Sequence, residues 1–477
     1  MQKKYDIIII GAGSAGLSVS LFMNKVGFNV LLIDKTDHHI GGDCLNDGCV
    51  PSKALIHIAR ISHSAKEAEK FGIQVNGQVD IKKATEYIYK RQSIIREHEN
   101  AEHFRKEGLD VVLGVAKFIG RHEVEVEGKK YYGKKIVIAT GSKPKKLKTP
   151  GIEKVKYYDN ESIFHINDLP PRLLVVGGGP IGIELGQAFH RLGSKVTVVQ
   201  RGEAILEHDE KAVTDILYHQ LKNEGIEFIF NADVDSFPTP NEVIITLKDG
   251  NTQTIAMDAV FVGIGRELNI KNLQLEKAGV EVKDDKIEVN EYMQTTNKNI
   301  YVCGDVAGSL QFSHAAEQQA RIILNNLFSP LKKKLNNNYM SWVTFTDPEL
   351  ATFGLQEKDL KKKKIKYRCL DTDFDSDDRA ITDSHRYGKL ILYISQGSFL
   401  HKEKILGGTM VAPGAGELVQ ELILANAAKI PINAIFHKIY PYPVASRINQ
   451  KAIVHYKQEG LTEGIKKLLR FTYKLMN

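Results

Sequence analysis

Two glycine-rich turns of the same pattern constrain the fold of this chain more than any other feature. The first, GAGSAG (11 to 16), follows the unbroken apolar run Ile7 to Ile10 and opens a helix-like stretch. A second apolar run, NVLLID, then ends in Asp34, 18 residues beyond the last glycine. An unbroken apolar run is typical of a parallel strand that is buried on both faces. Strand, turn, helix, strand and acid in this order indicate a dinucleotide-binding unit.

Each glycine of the first turn, and the acid that follows it, has a physical reason. Gly11 allows a tight turn, Gly13 lets backbone amides approach a pyrophosphate at the helix N-terminus, and Gly16 allows close packing of helix on strand. The carboxylate of Asp34 can accept hydrogen bonds from ribose hydroxyls. We therefore predict that Gly11, Gly13, Gly16 and Asp34 bind a dinucleotide.

The pattern repeats around GGGPIG (177 to 182), between the apolar runs RLLVV and KVTVV. No acid ends the second run, where Gln200 and Arg201 stand instead. An arginine can pair with a 2′-phosphate that a carboxylate would repel, which favours NADPH over NADH. Glu207, six residues further on, keeps NADH open. The residues predicted to bind this second dinucleotide are Gly177, Gly179, Gly182 and Arg201.

Two further apolar stretches end in residues suited to a nucleotide site. IVIATGSKP (136 to 144) predicts a buried strand followed by a turn at Thr140 and Gly141. TTNKNIYVCGDVAG (295 to 308) predicts a strand that carries Asp305 just past its end. Because ligands bind at the carboxyl ends of parallel strands, we predict that these residues contact a cofactor. Two nucleotide units suggest one prosthetic group and one diffusible reductant.

Composition sets the broad class. The length of 477 residues predicts about three domains, at roughly 150 residues each. The net charge of +7 is spread along the chain, which argues against a nucleic-acid partner. Four cysteines are too few for a disulfide-scaffolded secreted protein. The sequence also has no clean run of 18 apolar residues of the kind that predicts a membrane span. We expect a cytoplasmic protein.

The segment GGDCLNDGCVPSKAL (41 to 55) holds two of the four cysteines, Cys44 and Cys49. It could form a structural staple, a metal site completed by His38, His39 and Asp43, or a redox pair. In a regular helix, positions five apart have Cα atoms roughly 8 to 9 Å apart, beyond the approximately 7 Å limit for a disulfide. A bonded pair therefore requires a distorted segment, which the neighbouring glycines permit. Pro51 is expected to stop helical continuity just beyond Cys49.

These elements, in this order, resemble the flavoprotein disulfide reductases, which include glutathione reductase, dihydrolipoamide dehydrogenase and mercuric reductase. The match covers nearly the whole chain, and FTDPELATFG (345 to 354) is most similar to the mercuric reductase branch. The resemblance implies an α/β chain with two doubly wound, Rossmann-like domains and an α+β C-terminal dimerisation domain. The implied segments are 1–150 and 270–340 for FAD, 151–269 for NAD(P)H and 341–477 for the homodimer interface. VGIGRELN (262 to 269), which contains Gly265, is similar to the family's crossing back to the FAD domain.

The resemblance also implies roles for the redox residues. Cys49 corresponds to the sulfur that faces the flavin, and Cys44 to the interchange thiol that attacks the substrate. Lys53 takes the place of the lysine near flavin N5, which is paired in the family with a glutamate at the position of Glu184. Pro180 stands where many relatives carry a tyrosine that covers the flavin. By the same resemblance Gly11, Gly13, Gly16, Asp34, Thr140, Gly141 and Asp305 bind FAD.

The implied chemistry is stepwise. NADPH reduces the flavin, the flavin reduces the disulfide, and the resulting thiolates act on the substrate. Because the thiolate is the nucleophile, lowered pKa values are expected for the thiols at this glycine-rich turn. The two remaining cysteines, Cys303 and Cys369, are interpreted as packing residues.

The pattern departs from the disulfide-reducing relatives near the C-terminus. Those relatives carry a His-Pro pair and a glutamate five residues after the histidine, whereas this chain has Tyr442-Pro443 and Arg447. Tyr440-Pro441 offers an alternative register. Mercuric reductases also have tyrosine at this position, although they usually end in a cysteine pair that is missing here.

Several acceptors therefore remain open. A thiophilic metal ion or an unusual disulfide is the leading prediction. The alternatives are a dihydrolipoamide dehydrogenase- or glutathione reductase-type disulfide reductase, a quinone diaphorase, and a low-turnover redox-sensing flavoprotein. No resident metal is predicted.

The tail LTEGIKKLLRFTYKLMN (461 to 477) mixes leucines with Lys466, Lys467, Arg470 and Lys474. Such a stretch could lie on a membrane surface. A helix that packs against the dimer or frays is the preferred interpretation.

Overall fold

A computed structural model describes residues 3–397 and 402–477. The chain divides into two compact units. Unit 1 comprises Met1–Glu203 and Ile226–Asn336, and unit 2 comprises Ala204–Gly225 and Asn337–Asn477. Both glycine-rich turns lie in unit 1. The finer segments 1–150, 151–269, 270–340 and 341–477 stay a prediction.

Strands are numbered in chain order. They are β1 Lys3–Ile10, β2 Val30–Asp34, β3 Asp110–Leu113, β4 Ala116–Gly120, β5 Glu123–Val126, β6 Lys129–Ile138, β7 Ser142–Pro144, β8 Tyr157–Tyr158, β9 Arg172–Val176, β10 Lys195–Val199, β11 Glu227–Ile229, β12 Ala232–Thr239, β13 Glu242–Leu247, β14 Thr252–Ala256, β15 Ala259–Val262, β16 Arg266–Leu268, β17 Val282–Lys283, β18 Lys286–Ile287, β19 Ile300–Val302, β20 Ser341–Thr344, β21 Glu349–Gly354, β22 Tyr367–Asp373, β23 Lys389–Ser395 and β24 Ile405–Ala412.

Helices are numbered in the same way. They are α1 Ser14–Lys25, α2 Gly42–Asn46, α3 Cys49–Glu67, α4 Ile81–Arg96, α5 Ala101–Lys106, α6 Pro180–Leu192, α7 Lys211–Glu224, α8 Ser313–Phe328, α9 Glu357–Lys362, α10 Asp378–Thr382, α11 Ala415–Leu418, α12 Gln420–Ala427, α13 Asn433–His437, α14 Arg447–Glu459 and α15 Glu463–Met476.

The first sheet of unit 1 has the order β3-β2-β1-β6-β5-β4, with β19 also paired to β6. The strands β3, β2, β1, β6 and β19 are parallel, whereas β4 and β5 form an antiparallel extension. The isoleucine run explains why β1 is central. Ile7 and Ile9 belong to a core with α1 and α8 on one face, and Ile8 and Ile10 belong to a core around Phe118 on the other. The prediction of a strand buried on both faces is confirmed.

The second sheet of unit 1 has the order β11-β10-β9-β15-β8, and all of its pairings are parallel. An antiparallel meander, β12-β13-β14, follows it. The chain then returns to the first sheet region through β16, which pairs antiparallel with β7.

Unit 2 is built on the antiparallel sheet β20-β21-β24-β23-β22. Its core is formed by buried side chains from these strands and from α11 to α14, among them Phe353, Leu392, Met410, Leu422 and Ile453. A predominantly parallel sheet and an all-parallel sheet with helices, together with a C-terminal α+β unit, confirm the predicted fold class.

Over the residues that the structure describes, no helix combines the length and apolar character needed to cross a bilayer.

Candidate functional site

The first glycine-rich turn has the geometry of a nucleotide cradle. Gly11 has φ +107°, and a Cβ there would lie 2.3 Å from the Ala139 carbonyl oxygen. A Cβ at Gly16 would lie 1.9 Å from the Gly11 carbonyl oxygen, so only glycine fits both positions. Helix α1 begins directly after Gly13 and no side chain caps it. Its first amides are thus available to a pyrophosphate, and the residues fit the ADP half of FAD.

Asp34 lies at the end of β2 and faces this turn. Its Oδ2 accepts a hydrogen bond from Ala12 N at 2.6 Å, and its Oδ1 accepts one from Lys35 N at 2.6 Å. Burial raises the pKa of this carboxyl. The carboxylate is therefore placed beside the turn, as a ribose-binding acid must be.

The second turn repeats this geometry. Gly177 has φ +110°, and a Cβ there would lie 2.5 Å from the Gly263 carbonyl oxygen. A Cβ at Gly182 would lie 2.1 Å from the Gly177 carbonyl oxygen, whereas one at Gly179 would meet no heavy atom within 4 Å. The approach to the N-terminus of α6 is therefore open, although its first residue, Pro180, offers no N–H.

Gln200 takes the place of the acid in the second unit. Its Oε1 accepts a hydrogen bond from Gly178 N at 2.8 Å. Gly178 follows the first glycine of its turn, as Ala12 does in the first unit, so Gln200 and Asp34 make equivalent contacts. A neutral amide thus replaces a carboxylate at the ribose end of the second site.

Arg201 is the next residue and its side chain is 85% exposed. Its Nε lies 2.6 Å from Asp233 Oδ1, an exposed carboxylate. Gly265, at the return crossing, has φ +104°, and a Cβ there would meet no heavy atom within 4 Å. Both residues are therefore accessible to a ligand.

The helical structure of the cysteine segment is interrupted between Cys44 and Cys49, as a disulfide between them requires. Helix α2 ends at Asn46, Gly48 has φ −126° and ψ −108°, and α3 begins at Cys49. A Cβ at Gly48 would lie 2.8 Å from the Asp43 carbonyl oxygen. The two cysteines therefore lie on separate helices, consistent with the geometric requirement.

The expectation for Pro51 was wrong. Helix α3 continues through it to Glu67, because Pro51 occupies the first turn. The amides of a first turn have no intrahelical partner, so the missing N–H of proline removes no hydrogen bond there.

The two thiols are free in this structure and differ in acidity. The hydrogen bond from the Cys44 thiol lowers the pKa of Cys49, with smaller contributions from Ser313 and Lys53. Cys49 Sγ lies 3.7 Å from Ser313 Oγ. The same bond, with burial, raises the pKa of Cys44. Lowered pKa values were predicted for the thiols of this turn, and only Cys49 has one. The proton that the two sulfurs share stays on Cys44, so the thiolate is on Cys49.

Lys53 and Glu184 form an ion pair between the two nucleotide regions. Lys53 Nζ lies 2.7 Å from Glu184 Oε2. Lys53 is on α3, one turn after Cys49, and the nearly buried Glu184 is on α6. Pro180 is the first residue of α6, where its fixed φ suits helix initiation. The chain thus places a charged pair beside the redox segment.

Arg266 is a site residue that the sequence reasoning missed. Its Nη2 lies 3.2 Å from Asp43 Oδ2, and its Nε lies 3.7 Å from Asp305 Oδ2. Its Nε also donates to Ser142 Oγ at 2.6 Å, and that hydroxyl donates to Asp305 Oδ2 at 2.6 Å. Arg266 therefore links the redox segment, through Asp43, to the strand end that carries Asp305. Its position inside VGIGRELN was the only available signal.

The turn after β6 is held by an asparagine. Thr140 Oγ1 donates to the Asn269 carbonyl oxygen at 2.8 Å, and Asn269 Nδ2 donates to the Thr140 carbonyl oxygen at 3.0 Å. Gly141 has φ +66°, as the turn requires. Thr140, Gly141 and Asp305 are thus brought to one edge of the first sheet.

Acidic groups crowd the cysteine segment. Burial, followed by the charges of Asp43 and Glu161, raises the pKa of Asp47 to about 7. Within residues 3–397 and 402–477, no group of three or more His, Cys, Asp or Glu side chains is arranged to hold a metal ion.

Tyr442 lies in unit 2 and is 66% exposed. Its hydroxyl donates to Asp378 Oδ2 at 2.9 Å, and the Arg447 guanidinium lies 5.4 Å from its ring centroid. The hydrogen bond with Asp378 raises the pKa of Tyr442. In the alternative register, Tyr440 donates to Glu421 Oε1 at 2.6 Å. Tyr442 is thus the more accessible of the two hydroxyls.

Comparison with known proteins agrees with this geometry. Residues 5–320 match the family described as pyridine nucleotide-disulphide oxidoreductase, and residues 340–453 match its dimerisation domain. A mercuric reductase from Lysinibacillus sphaericus is 32% identical over 92% of this chain and 80% of its own length. A dihydrolipoyl dehydrogenase from Thermus scotoductus is 31% identical over the full length of both.

Solved structures are similar as well. The HOCl-induced flavoprotein disulfide reductase RclA from Escherichia coli has a TM-score of 0.82 and 26% identity, covering 93% of this chain and 98% of its own. Its Cu(II) complex has a TM-score of 0.81 and 26% identity, covering 95% of this chain and all of its own.

Proposed function

The chain belongs to the pyridine nucleotide-disulphide oxidoreductase family, and we propose that it uses NADPH and FAD to keep the Cys44–Cys49 pair reduced. The reduced pair then delivers two electrons to a thiophilic metal ion or a small disulfide. Members of the family are NAD(P)H-dependent flavoprotein oxidoreductases, so the chain is an enzyme of that class. The observation that carries the proposal is the lowered pKa of Cys49 beside the Lys53–Glu184 pair.

The cofactor roles follow from the two cradles. Gly11, Gly13, Gly16 and Asp34 would hold the ADP half of FAD, and Thr140, Gly141 and Asp305 the remainder. When bound, FAD accepts a hydride and can reduce a disulfide. The second cradle, with Gly177, Gly179, Gly182, Arg201 and Gly265, would hold NADPH.

The preference for NADPH is supported by charge. Gln200 occupies the place of a ribose-binding carboxylate without its negative charge. Arg201 is exposed beside it and can pair with a 2′-phosphate. This combination lowers the repulsion that an acid would impose on NADPH.

The two cysteines have different roles in the proposed reaction. With a disulfide substrate, the proton shared by the two sulfurs first passes from Cys44 to Cys49, and the Cys44 thiolate attacks one substrate sulfur. The other substrate sulfur leaves and takes the proton from Cys49, so it departs as a thiol. The Cys49 thiolate then attacks Cys44, which releases the second thiol and closes the Cys44–Cys49 disulfide. With a metal ion, both sulfurs bind the ion and no proton has to reach a leaving thiol.

The surroundings of Tyr442 favour the metal ion. Disulfide exchange needs a group that gains and loses a proton near neutral pH, which histidine does. Tyr442 stays protonated there, because its hydrogen bond with Asp378 raises its pKa. The mercuric reductase relatives and the Cu(II) complex of the RclA structure support Hg²⁺ and Cu²⁺ as acceptors. One Hg²⁺ takes up both electrons of the dithiol, whereas two Cu²⁺ ions take up one each.

Reduction of a disulfide is the second candidate. The Thermus dihydrolipoyl dehydrogenase matches this chain from end to end, which favours it. The match of residues 340–453 to the dimerisation domain supports a homodimer in either case.

A substrate panel tests the proposal. NADPH oxidation by the FAD-loaded enzyme is followed with Hg²⁺, Cu²⁺, oxidised glutathione, lipoamide and quinones. We expect steady turnover with a thiophilic metal ion that is lost in the Cys44→Ser variant, while the Cys369→Ser control keeps it. Turnover with quinones that survives Cys44→Ser would indicate a diaphorase instead. Stoichiometric reduction without turnover for every acceptor would indicate a redox sensor.

A further inference from the structure

The C-terminal helix α15 is formed but is not buried by the rest of its own chain. Thr462 caps its N-terminus, where Oγ1 accepts a hydrogen bond from Ile465 N at 3.4 Å. No residue of Glu463–Met476 is buried against any part of the described chain. Leu468 is 60% exposed, Phe471 63% and Leu475 75%. The helix also lies beyond residues 340–453, which match the dimerisation domain.

The side chains of α15 separate into two faces. At about 100° per residue, the large apolar residues fall on one side of the helix and the charged residues on the other. Two aromatic residues, Phe471 and Tyr473, lie at the two boundaries between the faces. The apolar face comprises Ile465, Leu468, Leu469, Leu475 and Met476, and the charged face comprises Glu463, Lys466, Lys467, Arg470 and Lys474.

An exposed apolar face of this kind needs a partner. Large contiguous apolar patches are rare on proteins that have none, because their contact with water is unfavourable. The described part of the chain does not supply one for α15. The preferred interpretation from sequence, a helix that packs against the dimer or frays, stays a prediction.

The charge of the helix identifies the partner. Lys466 Nζ lies 2.9 Å from Glu463 Oε1. Three further cations lie on the same side of the helix, namely Lys467, Arg470 and Lys474. A second copy of this chain, with a net charge of +7, offers no general attraction to that side. An anionic lipid surface does, and it covers the apolar face at the same time.

We propose that α15 lies in the plane of an anionic membrane surface and anchors the enzyme there. The apolar face enters the acyl boundary, the aromatic side chains lie at its edge, and the lysines contact lipid phosphates. With 14 residues the helix is about 21 Å long, which suits an in-plane position. The inference does not depend on the identity of the electron acceptor.

Vesicle binding tests this inference. The full chain, loaded with FAD, is sedimented with vesicles of phosphatidylcholine alone or mixed with phosphatidylglycerol. We expect binding to the mixed vesicles only, weakened by salt because the phosphate contacts are screened. Equal binding to both vesicle types, or to neither, would overturn the proposal.

Two variants separate the contributions of the faces. Leu468→Gln/Leu475→Gln keeps the charge and should weaken binding by about tenfold or more, because two apolar side chains no longer enter the membrane. Lys467→Gln/Lys474→Gln should weaken binding by about 25-fold, at about fivefold for each lysine. Lys362→Gln/Lys364→Gln removes the same charge elsewhere and should bind as the natural chain does.

The alternative partner gives a different result. If α15 instead packs on a second copy, Leu468→Gln/Leu475→Gln would shift the protein from dimer to monomer in analytical ultracentrifugation, without an effect of lipid. That outcome would refute membrane anchoring. Circular dichroism and bound flavin show whether each variant is folded, which we expect because α15 contributes no residue to any of the four described cores.

Discussion

Lys53 and Glu184 are 131 residues apart in sequence, yet Lys53 Nζ lies 2.7 Å from Glu184 Oε2. The pair joins α3, which carries Cys49 at its first position, to α6, which follows the second glycine-rich turn. Glu184 is almost fully buried, so this contact with Lys53 lies largely out of the solvent. The pair thus couples the position of the redox segment to the predicted NADPH site.

We expect Glu184→Gln to slow reduction of the enzyme by NADPH by about 10- to 100-fold, because Lys53 loses the group that orients it. The free energy of unfolding should fall by about 1–3 kcal/mol. Stopped-flow flavin absorbance and urea unfolding measure the two effects. Glu227→Gln, which breaks the exposed pair with Lys195, is the control and should change neither appreciably. Equal rates for Glu184→Gln and the control would contradict the role.

The Cys44 hydrogen bond is the main cause of the lowered pKa of Cys49. Cys44→Ala removes the donor, so we expect alkylation of Cys49 in the reduced enzyme to shift to higher pH. Cys44→Ser keeps an O–H donor and should shift it less. Mass spectrometry of iodoacetamide-treated protein across pH 5–9 follows the reaction. A profile that is identical in Cys44→Ala and the natural protein would show that the bond does not stabilise the thiolate.

If Cys49 is the flavin-side sulfur, as proposed, its thiolate should be visible in the absorption spectrum. We expect partial reduction of the FAD-loaded enzyme to produce a long-wavelength absorption band from the Cys49 thiolate and oxidised flavin. Cys49→Ser should abolish the band, while Cys369→Ser should leave it unchanged. A band that survives Cys49→Ser would sink the assignment of Cys49 as the flavin-side sulfur.

Gln200→Glu tests the cofactor preference. The carboxylate would occupy the position that Gln200 Oε1 holds 2.8 Å from Gly178 N. Its charge should repel a 2′-phosphate, so we expect kcat/KM to fall for NADPH by about tenfold more than for NADH. An unchanged ratio of the two values would refute the preference. Glu203→Gln, a charge change just beyond Arg201, serves as the control.

Stability should depend on pH through Asp47. Its pKa is about 7 in the folded chain and about 3.9 when unfolded, so the folded state binds the proton more tightly. The contribution to stability is complete below about pH 4 and is lost as pH rises through about 7. In Asp47→Asn, the free energy of unfolding measured in urea should therefore vary less between pH 5 and pH 8, and it should be higher than in the natural protein at pH 8. The control Asp235→Asn, at an exposed position, should leave this pH dependence unchanged. If Asp47→Asn kept the pH dependence of the natural protein, Asp47 would not be its source.

Much of the site was predictable because it is local. The constraints at Gly11 and Gly177 follow from a strand that turns directly into a helix within six residues. The positions of Asp34 and Gln200 were predictable for the same reason, because each residue lies at or directly after the end of the next strand of its nucleotide unit. The position of Glu184 opposite Lys53, in contrast, came only from the family resemblance.

The missed features are contacts between distant segments. Arg266 joins Asp43 and Asp305, and no periodicity in the sequence connects these three positions. Pro51 was misjudged because its effect depends on where α3 begins, which is decided by the conformation of Gly48.

The sequence by itself determined the two nucleotide cradles, the cysteine spacing and the amphipathic tail, because each depends on residues within about one helix or strand of one another. Tertiary structure alone decided which cysteine holds the thiolate, which carboxylates surround it and that α15 is left uncovered. Those properties depend on burial, on the break between α2 and α3 that lets the Cys44 thiol bond to Cys49, and on charges such as that of Glu161 that come from more than 100 residues away. None of these can be read from local pattern.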